Sequence, residues 1–156
     1  MIKVIHPIAG GLALLTIVTF WLSTVISELF ASQQAVVAVK TAIPWGFLLL
    51  LPAMAATGGS GFAMIGKGRR VGLVGAKAKR MKFIAANGIG ILIPSALFLA
   101  YKASAFAFDA AFYAVQGLEL VAGAVNIVLM SLNMRDGLKM KGRLRRKPAG
   151  GSRGRG

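Results

Sequence analysis

Six residues in the second half of the chain, Gln116, Glu119, Gly123, Asn126, Met130 and Asn133, follow one another at spacings of 3, 4, 3, 4 and 3. That rhythm puts them on one face of a helix. Glu119 is the charged member of the set. It interrupts a run of otherwise uncharged residues between Asp109 and Arg135. If that run crosses a membrane, the carboxylate lies near the midplane. A carboxylate there costs about 2.5–3.5 kcal/mol on insertion scales unless it is paired or protonated. Two chemistries fit: a proton- or cation-binding site, or a hydrogen-bonded clamp between helices. No lysine or arginine is expected at the same depth on another helix. The sequence therefore predicts a protonated Glu119, hydrogen-bonded to Thr16 or Thr19.

Those two threonines belong to a second polar series, Thr16, Thr19, Ser23 and Ser27, on the first helix. Such hydroxyls also bond their own helix backbone, so the series alone is weak evidence for a site. Asn87 and Ser95 extend the polar interior from a third helix. The chain's single histidine, His6, offers a different chemistry. Met64, Met130 and Met134 are expected at a similar depth, and a His/Met pair can hold a b-type haem in a helical bundle. The simpler expectation is an interfacial histidine bonded to water or a carbonyl, with no cofactor. There is no cysteine. Disulfides, thiolate nucleophiles and cysteine metal sites are excluded, and no metal site is expected. No Gly-rich phosphate loop is found, because Lys67 follows Gly58–Gly61 at the wrong spacing. Catalytic residues are expected to be absent.

The elements that must carry these residues are marked by where charge is missing. The chain has 156 residues, 56% of them hydrophobic and only 15% charged, yet its formal net charge is +15. A soluble surface would need more charge, of both signs. Twenty-four uncharged residues separate Lys3 from Glu28, 26 separate Lys40 from Lys67 and 19 separate Lys82 from Lys102; 25 lie between Asp109 and Arg135, Glu119 among them. About 20 apolar residues cross the hydrocarbon core. The fold class expected is thus an all-α integral membrane protein, a four-helix bundle over residues 1–140. Its spans are predicted at 5–28, 40–62, 83–102 and 110–134. The first is too long for a signal-peptide core and is expected to be retained.

Seven basic residues crowd Lys67–Lys82 and nine follow from Arg135 onward. The positive-inside rule then puts both termini and the middle loop in the cytoplasm, with the protein in a plasma (inner) membrane. Arg69, Arg70, Lys77, Lys79, Arg80, Arg143, Arg145 and Arg146 are expected to meet anionic lipid headgroups. Residues 141–156, rich in Gly and Arg, are expected to form a disordered tail. Nucleic-acid binding is not expected, because the tail lacks stacking aromatics.

Twenty glycines predict close helix packing. Pro44, Pro52 and Pro94 are expected to kink helices two and three. Trp21, Trp45, Tyr101 and Tyr113 are expected in an interfacial belt. The function expected first is a non-enzymatic subunit or accessory factor of a membrane complex, as a homo-oligomer or with another membrane partner. The alternatives are a small proton- or cation-coupled transporter using Glu119 and a haem-binding redox protein using His6.

Overall fold

A computed structural model describes residues 2–65 and 73–145. Among them every regular element is helical: α1 (Ile2–Phe30), α2 (Gln33–Ile65), α3 (Leu73–Asn87), a π turn (Gly88–Leu92), α4 (Ile93–Ser104) and α5 (Ala110–Arg145). α3, the π turn and α4 run on as one rod. Four helical stretches are therefore long and apolar enough to cross a membrane: Val4–Phe30, Gln33–Gly61, Gly75–Ser104 and Ala110–Lys139. They hold 27, 29, 30 and 30 residues. At ~1.5 Å per residue each exceeds a ~30 Å hydrocarbon core.

The helices overrun the expected spans at several ends. α2 begins at Gln33 rather than residue 40, the third rod at Leu73 rather than 83, and α5 continues through Arg145. Residues 141–145 are therefore helix, not tail; residues 146–156 lie outside the described set. The physical reason is common to all three. Lys and Arg are good helix formers, so a charge that looks like a boundary does not end the backbone hydrogen-bond ladder.

The connections at one end of the bundle are short. Ser32 caps α2 by accepting the Ala35 N–H at 3.4 Å. Between α4 and α5, the N–H groups of Phe106 and Ala107 bond the carbonyls of Ala103 and Lys102, with Phe106 at φ +50°. This is a Schellman ending with phenylalanine where glycine usually stands. Asp109 then caps α5. Its Oδ1 accepts the Phe112 N–H at 2.9 Å and its Oδ2 accepts from Lys102 Nζ at 2.5 Å. The Lys102 ammonium, and after it the Phe112 N–H, hold the Asp109 carboxyl below its ordinary value.

Two apolar clusters divide the core. Val36, Leu99, Ala103 and Phe112 fill the end near these connections. Ala13, Leu50 and Ala53 pack with Phe20, Phe47, Met54 and Met130 further in. Trp21 leaves the expected belt. Its indole N–H donates to the Leu120 carbonyl at 2.9 Å and its ring packs over Gly123. Trp45, Tyr101 and Tyr113 face outward. The proline expectation changes at Pro94, which stands in the first turn of α4 just after the π turn. There Ile93 N–H reaches back to the Gly88 carbonyl, an i→i−5 bond.

Glycine matters most at Gly46, where an added Cβ would run into the Phe20 ring. Gly46→Val should destabilise the bundle by about 1–3 kcal/mol, the usual cost of overpacking. Gly117→Ala, where a Cβ meets nothing within 4 Å, should not. Thermal unfolding in detergent checks both; equal effects would contradict this packing. Asp109→Ala should fray the first turn of α5 in amide exchange, while Asp109→Asn, still a cap, should not. Because its carboxyl value is lowered on folding, Asp109 contributes fully above the ordinary carboxyl range. That contribution is lost as pH falls through its own lowered value.

Candidate functional site

α5 carries polar side chains at three levels, and each level is completed by other helices. The outer level, near the short connections, holds Gln116 and Glu119. Gln116 is 5% exposed and the Glu119 side chain 13%. Glu119 lies nine residues into α5, or ~13 Å from its start. Lys40, seven residues into α2, is ~10 Å from that helix's start. The two meet: Lys40 Nζ donates to Glu119 Oε2 at 2.6 Å. Lys40 also donates to Thr24 Oγ1 on α1 at 3.4 Å. Its side chain is fully buried.

This overturns the expected partners of Glu119. Thr16 and Thr19 donate to the Leu12 and Leu15 carbonyls of their own helix, and Thr19 faces outward. A cation does sit at Glu119's depth. Lys40 was missed because it reads as the charge that bounds a span. The signal was present, since Val36, Lys40, Ile43, Phe47 and Leu50 follow at 4, 3, 4 and 3. Lys40 is thus in phase with a buried apolar face. Thr24 was missed because it stands outside the predicted hydroxyl series; of that series Thr16 and Ser27 are buried with Ala13, Ile17 and Thr24, whereas Thr19 is exposed.

The middle level joins α5 to α3. Asn87 Nδ2 donates to the Ala122 carbonyl and to Asn126 Oδ1, both at 2.9 Å. Asn126, fully buried, donates to the Ile84 carbonyl at 3.4 Å. Because a backbone carbonyl can only accept, these contacts fix both amide orientations. Each such bond contributes about 1 kcal/mol net. Met130 packs in the inner apolar cluster.

The inner level gathers all four rods. His6 Nδ1 lies 3.0 Å from the Thr57 carbonyl and 3.1 Å from Ser60 Oγ. The carbonyl accepts, so Nδ1 carries the proton and Nε2 presents its lone pair to Lys77 Nζ at 3.3 Å. Arg80 Nη1 donates to Asp136 Oδ2 at 2.7 Å and to Asn133 Oδ1 at 3.5 Å. Asp136 is 3% exposed. Lys77, Arg80, Ile84 and Asn87 repeat at 3, 4 and 3, so one face of α3 supplies both the middle and inner levels.

Two expectations change here. Lys77 and Arg80 turn toward the bundle instead of outward to headgroups, because α3 begins early enough to put them on its α5-facing side. Lys79 is exposed. Arg69, Arg70 and Arg146 lie outside the described residues, as do the side chains of Arg143, Arg145 and Met64. The residues do not fit a haem. Both ring nitrogens of His6 are engaged, Nδ1 by the Thr57 carbonyl and Nε2 by Lys77. Met130 is packed among apolar side chains and Met134 faces outward. Among the described residues no group of three or more His, Cys, Asp or Glu could hold a metal ion.

Comparison with protein-family models, curated proteins and solved structures finds no match.

The outer pair makes a direct energetic prediction. Removing one partner leaves the other's charge buried, at a cost of about 3–5 kcal/mol. Lys40→Met and Glu119→Leu should each destabilise by that order. The double variant, an apolar pair of similar volume, should recover most of it. Thermal or denaturant unfolding of the four proteins measures the coupling, and additive losses would show the pair to be unimportant.

Proposed function

We propose that this chain is a multi-pass protein of the inner membrane, both termini cytoplasmic, acting as a non-enzymatic subunit or accessory factor of a larger membrane assembly. The observation that carries the reading is an outward-facing small-residue stripe, Ala55, Gly59 and Ala63 on α2, at spacings of four. A Cβ added at Gly59 meets nothing within 4 Å, so this chain's own packing does not call for glycine there. Glycine costs ~1 kcal/mol against alanine inside a helix. Small residues four apart let a second helix approach closely in lipid.

Two further features support it. Most interior polar groups are matched across helices, which suits a clamped bundle better than a moving carrier. The outward faces carry large apolar side chains such as Ile8, Leu15, Trp45, Leu48 and Val121, as contact with lipid or partner helices requires. The orientation rests on charge. Among the described residues Lys79, Lys82, Arg135 and Lys139 share one end, while the opposite end has Lys102 paired with Asp109. Lys79, Lys82, Arg135 and Lys139 are exposed at the basic end, and with Arg69, Arg70, Arg143, Arg145 and Arg146 they would face anionic headgroups. Coupled transport through Glu119 is the second reading, favoured by the enclosed charges at the outer level.

The test is the mass of the purified protein in nanodiscs or mild detergent. The wild type should exceed one 16.3 kDa chain, and Gly59→Leu should return it to that mass without loss of helix content. A wild type found only as single chains would contradict the reading. Topology is tested separately, because the chain has no cysteine. A single cysteine at Ser32 or Ala107 should react with an impermeant maleimide added outside cells. One at Ser152 should react only after permeabilisation. The reverse pattern would contradict the orientation.

A further inference from the structure

The outer level holds more charge than the Lys40–Glu119 pair. Glu28 lies one turn beyond Thr24, the residue that Lys40 bonds, on the same face of α1. One of its carboxylate oxygens, Oε1, is enclosed and has no hydrogen-bond partner. Lys40 bonds Glu119 alone of the two glutamates, so the enclosed oxygen of Glu28 has no cation on it. α4 brings no titratable group to this level among the described residues: its inward side chains are Ser95, Ala96, Leu99 and Ala103. Lys102 is engaged by Asp109 and Tyr101 faces outward.

Gln116 is the independent pointer. It is 5% exposed, and both its amide nitrogen and its amide oxygen are enclosed without a partner. Helix register aims it at the cluster. Phe112, Gln116 and Glu119 lie on one face of α5. Phe112 packs with Val36, and Glu119 bonds Lys40, one turn further along α2. Gln116 therefore lies between these two contacts with α2. An amide can donate to a carboxylate and accept from a carboxylic acid.

Among the described residues no second cation reaches the cluster. Above the cluster lies the apolar layer of Val36, Leu99 and Phe112. Below it lies a small apolar cleft walled by Phe20, Trp21 and Phe47, which Thr24 and Glu119 reach. Trp21's N–H is engaged by Leu120. Lys40 already occupies the place a metal cation would take.

We propose that Glu28, Lys40, Gln116 and Glu119 form a part-buried proton-binding site that holds one exchangeable proton between its two glutamates. In the arrangement described, Lys40 is on Glu119 and the proton is on Glu28. Uptake forms one O–H bond at a Glu28 oxygen from a water-borne proton, and release breaks it. No electrons move. When the proton leaves, Lys40 is shared by two carboxylates, with Gln116 donating to the one left freer. The site is independent of whether the protein assembles through the Gly59 face.

The composition makes the test selective, because Glu28 and Glu119 are the chain's two glutamates. The full chain, labelled with glutamate ¹³C at the side-chain carboxyl and placed in bilayers, is followed by infrared and ¹³C spectroscopy against pH. One protonated glutamate carboxyl and one carboxylate are expected, with the protonated signal titrating away as pH rises. Glu28→Gln should abolish that signal. Gln116→Leu should shift its frequency, and Asp109→Asn should leave it unchanged. Two glutamates ionised throughout the pH range of the folded protein would overturn the proposal. So would two that stay protonated, or a signal that survives Glu28→Gln. The labelled wild type decides the first two outcomes even if Glu28→Gln does not fold.

Discussion

A lysine ammonium enclosed among α1, α2 and α5 needs an anion within contact distance, and much of this bundle's outer half follows from that need. Lys40 has no exposed side-chain surface, and Glu119 meets it at 2.6 Å. Neither charge tolerates that environment alone. The pair therefore fixes the height of α2 against α5, and Thr24 brings α1 to the same point. A slip of either helix by one turn, ~5.4 Å, would separate the charges. The remaining packing is compatible with this register: Val36 on Phe112 outside the pair, Trp21 on Gly123 inside it.

The other two levels use the same device with weaker links. Asn87 and Asn126 tie α3 to α5 through amides whose orientations are set by carbonyl acceptors. Arg80 and Asp136 repeat the ion pair at the basic end, where Arg80 keeps partial exposure. His6 adds α1 and α2 to that level through Thr57, Ser60 and Lys77. The polar groups thus run as a ladder along α5. Its rungs are separated by Gly123 and Met130, where close packing replaces hydrogen bonding. A ladder of this kind gives apolar helices a unique register that non-directional contacts would leave undetermined.

The number of helices was legible in the sequence because uncharged runs of spanning length stand out against any charged residue. The face of α5 was legible because amides and a carboxylate recur at helical spacing, and Gln116, Asn126 and Asn133 are all buried. The partners were not. Charge counting treats Lys40, Lys77 and Arg80 as boundaries, whereas each lies inside a helix in phase with buried neighbours. Hydroxyl spacing likewise misled at Thr19, since a threonine can satisfy itself on its own backbone and face outward. The π turn before Pro94 left no mark that proline alone would not leave. Periodicity across a charged residue, more than distance from it, carries the missing information.

The central claim is the contact between Lys40 and Glu119. A dipolar-recoupling measurement in bilayers, with ¹⁵N at the Lys40 ammonium and ¹³C at the glutamate carboxyls, tests it directly. A strong coupling to one glutamate carboxyl, at ion-pair range within ~4 Å, is expected, and it should persist in Glu28→Gln. A Lys40 ammonium with no carboxyl within that range would contradict it.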